Sequence, residues 1–181
     1  FLIDIEHGQK TGFFLDQRDN RNLLTKYCAD KSVLNTYCYS GGFSIYALNN
    51  MAKEVVSIDS SKTAMELVAK NIAANFKNKT VKHTTICDDV FHFFKISDLN
   101  FDVIILDPPA FAKNIAKRHN AVQAYKRLNA EGFKRINKGG ILFTFSCSQV
   151  VDKELFYSTV LSAAIEANRD VKILHYLSRP A

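Results

Sequence analysis

No apolar run in the 181-residue chain comes near the roughly 20 residues that cross a bilayer, so no helical membrane span and no membrane partner are expected. No basic stretch followed by an apolar core opens the chain, which removes a secretory leader from the expectation. Cysteine is sparse: Cys28, Cys38, Cys87 and Cys147 include no CxxC and stand beside no histidine pair. That spacing argues against a zinc site and a disulfide framework, so no metal is expected and a reducing cytoplasm is the expected location. No repeat, low-complexity tract or Pro/Gly-rich linker divides the sequence. One domain over 1–181 is therefore expected, with 1–31 as a segment leading into it. The chain begins at Phe1 rather than Met, which suggests a core cut from a longer protein.

What is present is an ordinary globular composition, 47% hydrophobic and 23% charged, with a formal charge of +6 and a pI near 9.1. The positive balance suits a polyanionic partner without demonstrating one. Apolar, β-branched runs at 32–37, 54–59, 81–87, 101–106, 140–145 and 171–176 predict strands. Helical spacing of apolar residues predicts helices over Ser44–Asn50, Thr63–Phe76, Ala121–Asn137 and Asp152–Asn168, the third stopped by Gly139-Gly140. Strand–helix alternation with strands apolar on both faces predicts an α/β fold, a doubly wound, mostly parallel sheet flanked by helices. In such sheets ligands bind beyond the carboxyl ends of the strands, where strand order reverses.

The residues after each strand carry the chemistry. "CYSGGFS" (38–44) follows the first, and Gly41-Gly42 let backbone approach a ligand with a helix N-terminus behind them. The third glycine of a GxGxxG fingerprint is missing, and a plain glycine turn explains the stretch as well. Asp59 ends the second strand, seventeen positions after Gly42, where a carboxylate commonly accepts from both hydroxyls of a ribose. A helix cap, which Ser60 or Ser61 would provide equally, is the plainer explanation. Asp89, ahead of Val90 and Phe91, is preferred to Asp88 as an acceptor for an adenine amino group, with capping again the alternative. "DPPAF" (107–111) is the most specific local signal, because two prolines stiffen the strand exit and leave Asp107 little freedom. In a doubly wound sheet the last of these exits, "FTFSCSQ" (143–149), lies beside it, so Asp107 and Cys147 should face one cleft. A cysteine there is either a small packing residue or a nucleophile.

Taken in order, "GQKTGFFLDQRDNR" (8–21), "VLNTYCYSGGFS" (33–44), "VVSIDSS" (55–61), "DDVF" (88–91), "DVIILDPPAF" (102–111) and "GGILFTFSCS" (139–148) resemble a class I S-adenosylmethionine-dependent methyltransferase. More narrowly they resemble the bacterial 23S ribosomal RNA large-subunit cytosine-C5 methyltransferase family. The resemblance implies a Rossmann-like sheet, ended here before its last strand, with S-adenosylmethionine as cofactor. It places Gly41, Gly42 and Phe43 around the methionine portion, Asp59 at the ribose and Asp89 at the adenine, with Tyr39, Ser40, Ser60, Asp88 and Val90 among the cofactor-binding residues. Asp16, Gln17 and Arg18 would border the pocket, with Arg18 pairing to the cofactor carboxylate, and Pro108 would lie beside Asp107.

The implied chemistry is addition of the Cys147 sulfur to cytosine C6, which makes C5 nucleophilic. Asp107 would stabilise the charge that develops around N3. The DPPAF motif holds no second thiol, so the group that takes the C5 proton is unassigned. Pro109, Phe111, Lys113, Lys117, Arg118 and Tyr125 would meet the RNA, by stacking or phosphate neutralisation, against a solvated helix face or core packing as the plainer readings. Expected partners are RNA, 23S ribosomal RNA foremost, and a second copy in a homodimer. The family's N-terminal RNA-binding PUA module and its small linking β domain are absent from these residues. A nitrogen-directed guanine methyltransferase, with Cys147 structural, and a non-catalytic cofactor-binding domain are the alternatives.

Overall fold

The computed structural model describes residues 1–3 and 12–177. The "GQKT" part of the first motif lies outside them. Five strands form one parallel sheet in the order β3-β2-β1-β4-β5: β1 Ser32–Thr36, β2 Glu54–Asp59, β3 His83–Cys87, β4 Phe101–Leu106 and β5 Ile136–Thr144. β1 is buried along its whole length, as a central strand covered on both faces must be. The chain winds outward from β1 through β2 to β3, then crosses back to β4 on the other side, so strand order reverses between β1 and β4.

Side chains alternate between two cores. Val33, Val55, Val103, Ile105 and Phe143 pack one face against Leu24 and Ile45, from α1 (Arg18–Leu24) and α2 (Gly42–Asn49). Leu34, Val56, Ile58, Ile104 and Leu106 pack the other against Phe93, Phe94 and Leu128, from α4 (Val90–Ile96) and α5 (Arg118–Arg135). α3 (Lys62–Asn75) is capped by Ser61, whose Oγ accepts from Ala64 N at 3.2 Å. α6 (Lys153–Glu166) is capped by Asp152 and rests on α5 through Ala130, Phe133, Ala163 and Ala164.

The register matters for function. Thr36 pairs with both Ile58 and Leu106, Asp59 with Cys87, and Leu106 with Thr144. The carboxyl ends therefore finish along one edge, and the loops after them converge.

Two expectations are corrected. Val171–Tyr176 form no strand and lie exposed, tied back by Tyr27 OH to His175 Nε2 at 2.6 Å. An apolar alternating run becomes a strand only when a neighbouring edge completes its ladder, and among the described residues none does. Gly139-Gly140 do not end α5, which stops at Arg135. They lie within β5, where the register shifts from Phe101↔Ile136 to Val103↔Ile141. Gly139 is left-handed (φ +77°), and a Cβ on Gly140 would stand 2.6 Å from the Asp102 carbonyl oxygen. Glycine is required here by a bulge, not by a helix stop.

Candidate functional site

The segment leaving β1 is strained. Tyr37, Tyr39 and Gly41 all have positive φ, at 52°, 46° and 79°, and non-glycine residues hold such angles only where their surroundings enforce them. The enforcing bonds run to β2: Cys38 N donates to Ile58 O at 3.1 Å and Tyr39 N to Asp59 Oδ2 at 3.0 Å. Gly41 N closes the turn on Cys38 O at 2.8 Å, and Asn71 Nδ2 holds the Ser40 carbonyl at 3.0 Å. Phe43 turns its side chain into the core, so it offers the cleft only backbone.

Asp59 is half-buried, and its Oδ1 accepts from Ser61 N at 2.9 Å. Each carboxylate oxygen has one amide partner here and a second lone pair for a ligand hydroxyl. The α3 cap itself is Ser61, so Asp59 is not consumed by that role, and Ser60 beside it is exposed. Asp89 caps α4 by accepting from His92 N at 3.0 Å. Asp88 receives Asp89 N at 2.8 Å and pairs with His92 Nδ1 at 2.7 Å, which holds its carboxyl below the usual range. Val90 is a core residue at 1% exposure. Its side chain is turned into the core, so only its backbone borders the loop.

Tyr37, which no sequence signal marked, sits half-buried within the fields of Asp59 and Asp89. Burial is the main cause pushing its hydroxyl well above the ordinary tyrosine range.

On the other side of the switch point, Asp107 is half-buried at the end of β4. Gln17 Nε2 donates to its Oδ2 at 3.1 Å, and Asn20 Nδ2 donates to Gln17 Oε1 at 2.6 Å, which fixes the Gln17 amide. Pro108 is buried, while Pro109 is exposed and Phe111 half-buried. The loop is pinned beyond: Ala112 N donates to Ser148 Oγ at 3.2 Å, and Tyr125 OH pairs with the same Oγ at 3.0 Å. Tyr125 is fully buried, with Phe111 and Phe156 ring centroids at 4.7 and 5.4 Å. Its ring has no face left for a base, so the expected substrate contact gives way to a role in holding the loop.

Phe145 N donates to Leu106 O at 3.0 Å, carrying the β4–β5 pairing into the loops. Cys147 is half-buried and lines a groove of about 830 Å³ shared with Asp16, Gln17 and Asn20. Gln17 thus touches Asp107 and faces the groove that Cys147 faces. Cys28 and Cys38 are buried, and desolvation pushes both thiols up. Cys87 is exposed at the end of β3.

Arg18 lies on the surface, its side chain 69% exposed and paired with Asp19 at 3.1 Å. Arg21, one turn along α1, is buried. Lys113, Lys117 and Arg118 are exposed around the short 3-10 turn Ile115–Lys117. Among the described residues no His/Cys/Asp/Glu group could hold a metal ion, and no helix is long and apolar enough to cross a membrane.

The model of the S-adenosylmethionine-dependent methyltransferase family matches residues 1–179. "Ribosomal RNA large subunit methyltransferase I" of Aeromonas salmonicida is 44% identical over 98% of this chain and 46% of that protein. The protein of the same name in Escherichia coli is 39% identical over 99% of this chain and 46% of its own length. The chain therefore spans about half the length of these curated relatives. The solved structure of SMU.776 complexed with SAH superposes with a TM-score of 0.75 at 29% identity, over 86% of this chain and 42% of that one.

The cleft fits the family's cofactor on its own terms. A left-handed glycine turn leads into a helix without a side-chain cap, a carboxylate stands seventeen residues on, and a buried guanidinium nitrogen lacks a partner. The sheet is the Rossmann-like fold of class I methyltransferases, and with its binding edge built where strand order reverses and its motifs matched over residues 1–179, the chain belongs to the S-adenosylmethionine-dependent methyltransferase family.

Proposed function

We propose that this chain is the catalytic core of an RNA methyltransferase that transfers the methyl group of S-adenosylmethionine to C5 of a cytosine in large-subunit ribosomal RNA, through a covalent Cys147 adduct. The observation that carries this reading is the shared groove. Gln17 is bonded to Asp107 and lines the groove that Cys147 also lines, an arrangement that would bring an acid and a thiol to one substrate. The relatives' printed names support ribosomal RNA as the substrate class.

Gly41, Gly42 and the backbone of Phe43 would hold the methionine end of the cofactor. Asp59 would hold its ribose, with Ser60 beside it, and Asp88 and Asp89 would face the adenine. When bound, the cofactor supplies an electrophilic methyl group beside the base. The residues of this chain do the rest. The Cys147 thiolate forms a bond to C6, and the electron pair of the C5–C6 double bond shifts so that C5 can attack an electrophile. Asp107, aligned by Gln17, stabilises the charge growing around N3 by sharing a proton with that nitrogen. Once C5 is alkylated, loss of its proton re-forms the double bond and expels the sulfur as thiolate. Lys113, Lys117 and Arg118, exposed beside this loop, would meet RNA phosphates.

The test uses 23S ribosomal RNA fragments carrying 5-fluorocytidine. Fluorine in place of the departing proton blocks sulfur release, so a complex that survives denaturation is expected, and Cys147→Ala should abolish it. With ordinary RNA and labelled cofactor, digestion should yield 5-methylcytidine. Recovery of a methylguanosine, with Cys147→Ala fully active, would instead establish nitrogen-directed transfer.

A further inference from the structure

Sulfur adds to C6 along the normal to the pyrimidine ring, and in a stacked strand neighbouring bases cover both ring faces. A target cytosine must therefore leave its stack before Cys147 can reach it, and the gap it leaves must be kept open. Two aliphatic side chains project into water from loops tied to the Asp107 and Cys147 exits. Leu15 is 69% exposed and Ile115 is 70% exposed.

Each sits on a braced turn. Leu15 opens the 3-10 turn Leu15–Gln17, in which Gln17 N donates to Phe14 O at 3.2 Å. The same carbonyl accepts from Arg21 Nη1 at 2.8 Å, and the Phe14 ring meets Tyr39 edge to face at 5.4 Å. Two residues on, Gln17 bonds Asp107, so the backbone of Leu15 lies within about 7 Å of the residue that aligns the acid. Ile115 opens the turn Ile115–Lys117, which Asn114 caps by accepting from Lys117 N at 3.2 Å. Three residues before it, Ala112 N is bonded to Ser148, the chain neighbour of Cys147. Three residues span at most about 10 Å of backbone, so Ile115 stays within that reach of the anchor beside the thiol.

A single exposed aliphatic residue needs no explanation. Two at the tips of braced turns, on separate loops tied to one groove, do. The chain carries no acid between Asp107 and Glu131, and Lys113, Lys117 and Arg118 are exposed on either side of Ile115 in the sequence. Those surroundings suit a polyanion, and aliphatic side chains pushed between base steps unstack them and hold them apart.

We propose that Ile115 and Leu15 are wedge residues that enter the RNA stack where the target cytosine has swung out, holding its neighbours apart while the base occupies the groove that Cys147 lines. The proposal rests on the reading of this chain as an RNA cytosine methyltransferase, and adds to it the means of exposing a stacked target. Both are positioning residues, since neither touches the reacting atoms.

The test measures the rate of covalent trapping on a 23S ribosomal RNA fragment carrying 5-fluorocytidine at the position the parent methylates. The fragment is presented once as a single strand and once annealed to its complement. The double variant Leu15→Ala, Ile115→Ala should slow trapping of the annealed RNA by about 10- to 100-fold, and of the single strand by no more than about threefold, because a free strand opens with little help. Each single variant should fall between parent and double variant, and Ile115→Leu, which keeps an aliphatic wedge, should retain most of the parent rate. S-adenosylhomocysteine affinity, read by calorimetry, should match the parent's. Equal slowing on both RNAs, or an unchanged rate on the annealed one, overturns the wedge. So does a drop in S-adenosylhomocysteine affinity, which would make the pair residues of the fold. A parent that traps the single strand but never the annealed RNA overturns the wedge alone and leaves the cytosine reading standing. A parent that methylates no cytosine, or traps neither RNA, overturns both.

Discussion

Ser148 is a single hydroxyl on which two loops depend. It is 3% exposed, and its Oγ meets both Ala112 N and Tyr125 OH. Removing that oxygen takes the acceptor from the buried Ala112 amide and the partner from the buried Tyr125 hydroxyl, at a cost of roughly 1–3 kcal/mol. Ser148→Ala should therefore lower the melting temperature by a few degrees, on the order of 2–4 °C per kcal/mol for a chain this size. Tyr125→Phe should cost less, because Ser148 then still holds Ala112. Equal melting temperatures for parent and Ser148→Ala would refute the pinning role. The same residues show what a sequence can conceal. Tyr125 and Ser148 are 23 positions apart, and nothing local tells a tyrosine that stacks on a base from one whose hydroxyl latches a neighbouring strand. Arg18 and Arg21 make the point again: both are arginines in a charged stretch, and only the facing of α1 decides which one is buried. The placement of Cys147, Asp107 and Gly41-Gly42 just beyond strand ends was legible, because strand ends and rigid or flexible turn residues announce themselves. Tyr37 was not, since its left-handed backbone carries no signature in a tyrosine.

At the scale of elements, β5 is held by features that mimic other signals. Gly139-Gly140 have the composition of a helix stop, and helical periodicity runs up to them, so the pair reads as a cap until the bulge is seen. Gly140→Ala would drive a methyl into the Asp102 carbonyl oxygen at 2.6 Å and Ile136 Cγ1 at 2.7 Å. Backbone must move to relieve that, and a loss of about 2 kcal/mol or more in chemical denaturation is expected. Asp102 joins three strands at this end. Its Oδ2 accepts from Ser32 N and Oγ, each at 3.0 Å, and its Oδ1 from Asn137 Nδ2 at 2.9 Å. The bond from Asn137, then those from Ser32, hold its carboxyl below the ordinary range. A carboxyl whose folded pKa lies below its unfolded one contributes stability fully above the unfolded value, about 3.9, and loses it as pH falls through the folded value. Asp102→Asn should be less stable at neutral pH, and its stability should fall less steeply below about pH 4 than the parent's. Matching acid-unfolding curves would refute the assignment. The failed strand at 171–176 belongs to this scale too. Its alternation is real, but pairing is a property of two edges, and sequence describes only one.

For the whole molecule, what was legible is the layout: alternating strands and helices, apolar on both faces, require a parallel sheet with its ligand at the carboxyl edge. The register gathers five loops along that edge, the proposed cofactor side over β1 and β2 and the proposed substrate side over β4 and β5. Such a division makes cofactor and RNA binding separable by charge. Lys113, Lys117 and Arg118 are exposed and follow the Asp107 loop in the chain. If they contact phosphates, replacing all three by Gln removes up to three released counterions. The slope of log K against log salt should then become shallower by about 0.7 per lost contact, roughly 2 in all for a single-stranded region. S-adenosylhomocysteine affinity should not change. Filter binding across a salt series reads the slope, and calorimetry reads the cofactor. A slope that stays put would mean these cations are a solvated helix approach only. RNA would then have to be gripped by charges elsewhere on a chain whose net excess is +6, and the placement of the substrate over β4 and β5 would lose its electrostatic support.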